Sequence, residues 1–115
     1  MYNLLFNKYN NVKFNFNINN NNYLLLSTLV IDNNIFILKF FNNKFDNLLL
    51  IELSNENCFF NKNKNVIISK ELSDFLISFI SDVSLYIKDN ININLFNQIL
   101  DQSMINKDQI KFKFN

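Results

Sequence analysis

Tyr23-Leu24-Leu25-Leu26-Ser27-Thr28-Leu29-Val30-Ile31-Asp32-Asn33-Asn34-Ile35-Phe36-Ile37-Leu38-Lys39-Phe40-Phe41 decides the fold. It holds two apolar runs, Tyr23 to Ile31 and Ile35 to Phe41, rich in β-branched and aromatic residues and parted by Asp32-Asn33-Asn34. Such runs favour extended chain. The chain contains no glycine. Asp and Asn are then the residues best suited to a left-handed turn, because their short polar side chains tolerate it. The stretch reads as a β-hairpin.

Strand signals continue on both sides of it. Val12 to Ile18 alternates strictly, with Val12, Phe14, Phe16 and Ile18 on one face and Lys13, Asn15 and Asn17 on the other; that is the period of a half-buried strand. Asn42-Asn43-Lys44 opens a further polar turn, followed by a strand from Leu48 to Leu53. Cys58 to Phe60 and Val66 to Ile68 are short strand candidates around an Asn- and Lys-rich loop, and Gln109 to Asn115 alternates again.

Between these the period becomes helical. Leu72, Phe75, Leu76, Phe79, Ile80, Val83 and Ile87 follow i, i+3, i+4, i+7 spacing, predicting an amphipathic helix over Lys70–Lys88. Ser69 stands where an N-cap belongs, and Glu71 and Asp74 suit the positive end of the helix dipole. Ile77 and Leu85 fall off the stripe and are free to meet a partner. A shorter second helix is expected from Asn94 to Gln102. The fold expectation is a single α+β domain over 1–115: an antiparallel sheet of four to six strands, packed on one face by the Lys70–Lys88 helix.

Composition limits function. Gly, Pro, His and Trp are absent, as are Ala and Arg, and Asn, Phe, Ile, Leu and Lys dominate. The abundant residues are mostly written with A and T codons, which points to an AT-rich genome, most simply that of an organelle. The expected location is the mitochondrion, with a plastid-derived organelle as the alternative. The start, Met1-Tyr2-Asn3-Leu4-Leu5-Phe6, lacks both the basic flank of a signal peptide and the Arg-rich pattern of a presequence. No apolar run reaches the roughly 18 residues of a membrane span. The 14 Phe are more than one small core easily buries, so some are expected to face other subunits.

The residue inventory argues against an enzyme. Without His there is no Ser-His-Asp or Cys-His arrangement, and a single cysteine, Cys58, supports neither a zinc site nor an intrachain disulfide. Without Gly there is no Walker loop or dinucleotide fingerprint. The carboxylates Asp74, Asp82, Asp101 and Asp108 read as solvated surface, and Cys58 beside Phe59 and Phe60 as a small buried hydrophobe. No catalytic residue, metal or cofactor is expected. The lysines are more suggestive. Lys62 and Lys64 share one Asn-rich loop, and Lys107, Lys111 and Lys113 lie in the tail, interleaved with Phe112 and Phe114. Lysine beside aromatics suits RNA backbone contact with base stacking, although the same spacing is also an ordinary strand pattern. A net charge of +1 is low for a chain that binds nucleic acid alone.

From Asn34 to Lys88 the order of elements resembles the second domain of the sixth universal large-subunit ribosomal protein: hairpin, turn, strand, loop, short strand, and one amphipathic helix across the sheet. The counterparts are Ile35-Phe36-Ile37-Leu38-Lys39-Phe40-Phe41, Leu48-Leu49-Leu50-Ile51-Glu52-Leu53, and Val66-Ile67-Ile68-Ser69-Lys70 leading into Phe75-Leu76 and Phe79-Ile80-Ser81-Asp82-Val83. Lys111-Phe112-Lys113 is a loose counterpart of the family's basic tail. The family's glycines, its helix-ending arginines and its Gly-Lys-Gly tail motif have no counterpart here. The resemblance implies a structural component of an organellar ribosome that contacts rRNA and ribosomal proteins, with Lys62, Lys64, Lys111 and Lys113 as the RNA contacts. The alternative is an accessory subunit of an organellar respiratory or ATP-synthase complex, docked by a Phe-rich surface without nucleic acid.

Overall fold

The computed structural model describes residues 2–18, 21–42, 47–54, 57–63, 66, 68–87 and 109–113. In chain order the elements are α1 (Asn3–Tyr9), β1 (Lys13–Ile18), β2 (Asn21–Asp32), β3 (Ile35–Phe41), β4 (Asn47–Leu53), β5 (Asn57–Lys62), α2 (Lys70–Val83) and β6 (Gln109–Lys113). The strands form one six-stranded sheet in the order β1-β2-β3-β4-β5-β6, and every neighbouring pair is antiparallel. This is the expected α+β class.

The expected hairpin forms, with Asp32 opposite Ile35. Asn33 and Asn34 both take positive φ, 49° and 64°. Two consecutive left-handed residues make the turn whose twist matches that of the flanking strands. Alternation then divides the sheet. Leu25 and Leu29 of β2, Phe36, Leu38 and Phe40 of β3, Leu49, Ile51 and Leu53 of β4, and Cys58 and Phe60 of β5 are all buried. Helix α2 covers this side with Leu72, Leu76, Phe79, Ile80 and Val83. The Phe75 ring meets Phe14 and Phe40 at centroid separations of 4.9 and 6.0 Å. Ser69 caps α2 as expected, its hydroxyl accepting from the Leu72 N–H at 3.1 Å.

Three details depart from the sequence reading. First, α2 ends at Val83 rather than Lys88. The Ser84 hydroxyl donates to the Ser81 carbonyl at 2.6 Å, and the Leu85 and Tyr86 N–H groups turn to the carbonyls three residues back. These short-range bonds tighten and close the last turn. Second, Val66 and Ile68 are buried but lie in no strand. The Val66 N–H is taken by the Asn63 carbonyl at 3.0 Å and its carbonyl by Lys62 at 2.9 Å, so its backbone is occupied outside the ladder. Third, α1 was not anticipated. It is only seven residues long, and its helical signal is the single pair Leu5 and Tyr9, both buried one turn apart. Of the phenylalanines whose burial is described, five are buried and four half-buried. The expected helix at Asn94–Gln102 lies outside the described residues.

Candidate functional site

Of the four lysines expected to contact RNA, the three that are described do not gather into one site. Lys62 is only 4% exposed. Its ammonium donates to the Val66 carbonyl at 2.9 Å and to the Asn63 carbonyl at 3.2 Å. A cation held by backbone oxygens under the chain is a structural lysine, not one presented to a phosphate. The sequence suggested otherwise because Lys62 follows a polar loop pattern, whereas its parity places it after Cys58 and Phe60 on the covered side of β5. Lys64 lies outside the described residues. Lys111 and Lys113 stand on edge strand β6, opposite Phe59 and Asn57. Lys113 and Lys62 therefore sit at opposite ends of β5, roughly 17 Å apart along the strand.

The acidic and nucleophilic groups make no reactive centre. Asp74 is exposed. Among the described residues no group of three or more His, Cys, Asp or Glu is arranged to hold a metal ion. Cys58 is fully buried, and burial pushes its thiol well above the ordinary range, so it is inert at neutral pH, as its apolar flanks suggested. Asp82 differs from the solvated surface carboxylate expected of it. Its Oδ2 accepts from Lys8 at 2.8 Å and from the Tyr9 hydroxyl at 2.5 Å. Partial burial works against its charge, but the hydrogen bonds from Lys8 and Tyr9 outweigh this and hold its pKa below the usual value. Tyr9 moves the opposite way: burial, with its hydrogen bond to Asp82, raises its phenol so that it stays protonated. A neutral phenol locked on a carboxylate is a fastening, not an acid–base pair working near neutrality.

The same fastening ties α1 to the sheet. The Ser27 hydroxyl donates to the Tyr9 carbonyl at 2.6 Å and accepts from the Val12 N–H at 2.9 Å. The Asn10 side chain accepts from the Leu29 N–H at 2.7 Å, capping the open edge of β2 beyond β1. Between α1 and the end of α2, Leu4, Leu5, Lys8, Asp82, Leu85 and Tyr86 line a cleft of about 190 Å³, smaller than the ~300 Å³ at which ligand pockets begin. Leu85 is exposed at its rim, as its place off the stripe implied, while Ile77 is half-buried against the core.

The feature with most functional content is the other side of the sheet. Both helices contact the same side: Tyr9 of α1 packs on Phe75 and Phe79 of α2, and Phe75 on the strands. Among the described residues no element covers the opposite side. Across it run Leu26 beside Phe41, then Thr28, Lys39, Leu50 and Asn61 in one row, and Val30, Ile37, Glu52 and Phe59 in the next. An antiparallel sheet with one face in water ordinarily alternates apolar and polar. Here β2, β3 and β4 carry apolar residues on both faces. Codon bias alone does not impose this, since it supplies Asn and Lys just as freely, and β1 places exposed Lys13 and Asn15 on this side. The signal was present in the sequence, because Ile35 to Phe41 and Leu48 to Leu53 are nearly unbroken apolar runs, which belong to strands buried on both faces.

Among the described residues no helix is long and apolar enough to cross a membrane. Comparison with models of known protein families, with curated proteins and with solved structures finds no match.

Proposed function

We propose that this chain is a non-enzymatic structural subunit of a larger organellar assembly, docked through the uncovered face of its sheet. The observation that carries this is the row Val30-Ile37-Glu52-Phe59 and its neighbours Leu26, Phe41 and Leu50, an apolar surface on the outer side of the central strands. Burying such a face against another protein is favourable by about 25 cal/mol for each Å² of apolar surface removed from water. The docking surface thus lies on the sheet, where Phe41 and Phe59 stand among aliphatic residues.

Two assemblies fit. An organellar ribosome is the one the order of elements suggests, with a neighbouring subunit on the sheet face and Lys64, Lys111 and Lys113 toward rRNA. The position of Lys111 and Lys113 on an edge strand favours it. A respiratory or ATP-synthase complex would use the same face with no nucleic acid. The sequestered Lys62 and the net charge of +1 favour that one. Sedimentation of detergent-lysed organelles, with and without ribonuclease, separates them. Migration with the large ribosomal subunit that is lost after ribonuclease selects the ribosome. Migration with a respiratory complex, unchanged by ribonuclease, selects the second. A chain that sediments alone in both gradients overturns the assembly reading.

A further inference from the structure

We propose that the partner on the uncovered sheet face is a second copy of this chain, packed face to face about a two-fold axis that passes between Lys39 and Glu52; the inference rests on the docking reading above. The face carries one cation and one anion near its centre. Lys39 lies on β3 and Glu52 on β4, the two middle strands of the sheet. Lys39 stands opposite Leu50 and Glu52 opposite Ile37, so the two charges are diagonal neighbours. Both are only half-exposed, and among the described residues neither takes part in an ion pair, the one such pair being Lys8 with Asp82.

A two-fold interface is self-complementary: if residue i of one copy meets residue j of the other, then j meets i. Any two points on a flat face exchange about an axis lying in the interface midway between them. An axis between Lys39 and Glu52 therefore sets Lys39 of each copy over Glu52 of the other, twice, so that both central charges are paired, while Lys13 and Lys111 lie on the outermost strands. Because the charges straddle the middle of the sheet, the same axis gives the greatest overlap of the flanking Val30, Ile37, Leu50 and Phe59. Strands β2 to β5 present a plan area of roughly 450 Å² per copy, which side-chain relief raises toward the ~800 Å² of accessible surface usual per partner. The product is two helix-covered sheets with their bare faces together, the layering of a sandwich. The charges set the register and exclude other pairings, while the aliphatic residues hold the copies together.

The test uses the full chain, mixed from isotopically light and heavy stocks and treated with a carbodiimide, which joins an amine to a carboxylate in contact. A cross-linked Lys39–Glu52 peptide with one light and one heavy half is expected, as is dimeric sedimentation. K39E sets Glu against Glu at both pairs and should weaken self-association by about 100-fold or more. The double exchange K39E/E52K restores opposite charges and should recover the dimer. A monomer at every concentration, or a dimer indifferent to K39E, overturns the proposal. Acylation of Lys39 in the native assembly then separates the two levels. If the chain alone is monomeric but Lys39 is protected in the assembly, a different protein covers the face and only the second copy is wrong. If Lys39 is acylated there as readily as in unfolded chain, the docking reading falls too.

Discussion

The Tyr9 hydroxyl donates to Asp82 Oδ2 at 2.5 Å, joining the last residue of α1 to the last turn of α2 across most of the sequence. The bond is charge-assisted and correspondingly short. Around it, Ser78 Oγ lies 2.9 Å from the same hydroxyl, Lys8 reaches the same carboxylate oxygen, and the Tyr9 ring stands edge-on to Phe75 and Phe79 at 5.1 Å each. One side chain thus serves the core with its ring and the helix pair with its oxygen.

Tyr9→Phe keeps the ring and removes the oxygen. Asp82 retains Lys8, but loses its bond from the phenol. A hydrogen bond to a charged group contributes about 1.5–3 kcal/mol, and urea denaturation should show a loss in that range. Tyr9→Ala removes the ring as well and should cost about 3–5 kcal/mol, the range for deleting a buried aromatic. Equal stability of Tyr9→Phe and the native chain would mean that the bond to Asp82 adds nothing to the fold.

The carboxylate gives this fastening a pH dependence. The pKa of folded Asp82 is lowered, so its contribution to stability is complete above the unfolded value, ~3.9, and is lost as pH falls through the folded value. Asp82→Asn keeps an acceptor for Tyr9 but has no charge to lose. The native chain should be the more stable near neutrality, and the two denaturation midpoints should converge in acid. Lys8 is about half exposed, at 54%, so salt should narrow the difference at neutral pH. A gap between the two proteins that stays constant down to the lowest pH would contradict this assignment.

The hairpin turn depends on two consecutive left-handed asparagines. Asn34, at φ 64°, is in a conformation that a β-branched side chain strongly disfavours. Asn34→Ile should destabilise the chain by about 1–2 kcal/mol, whereas Asn34→Gly should be near neutral or slightly stabilising. Thermal melts of the pair test this directly. If both variants melt with the native chain, the turn is not held in this conformation.

The sheet was legible because strand and helix announce themselves through different periods, and the Asp-Asn-Asn turn survives in a chain without glycine. The Lys70 start of α2 was legible from Ser69, whose cap needs only one side chain and a neighbouring N–H. Its end was not, since the Val83–Ile87 spacing continues the stripe while Ser84 closes the backbone beneath it. Helix α1 is too short for a periodic signal, and its stability comes from Tyr9 meeting Ser78 and Asp82, 69 and 73 positions away. The burial of Lys62 has a similar origin. Strand parity put its stem on the covered side, and only the tertiary path of Val66 supplied the carbonyl that makes burial of its charge tolerable.

That contrast gives the last prediction, which sets Lys62 against the lysines of the edge strand. An ammonium buried with backbone acceptors contributes to folding, and removing it leaves those carbonyls to find other partners. Lys62→Met should therefore alter the urea midpoint of the isolated chain while leaving the salt dependence of any RNA association unchanged. Lys111→Gln with Lys113→Gln should do the reverse if β6 faces rRNA: little change in stability, weaker assembly, and a shallower dependence on salt because fewer counterions are released. Assembly that ignores the double change at every salt concentration would remove β6 from the RNA interface and leave the uncovered sheet face as the chain's docking surface.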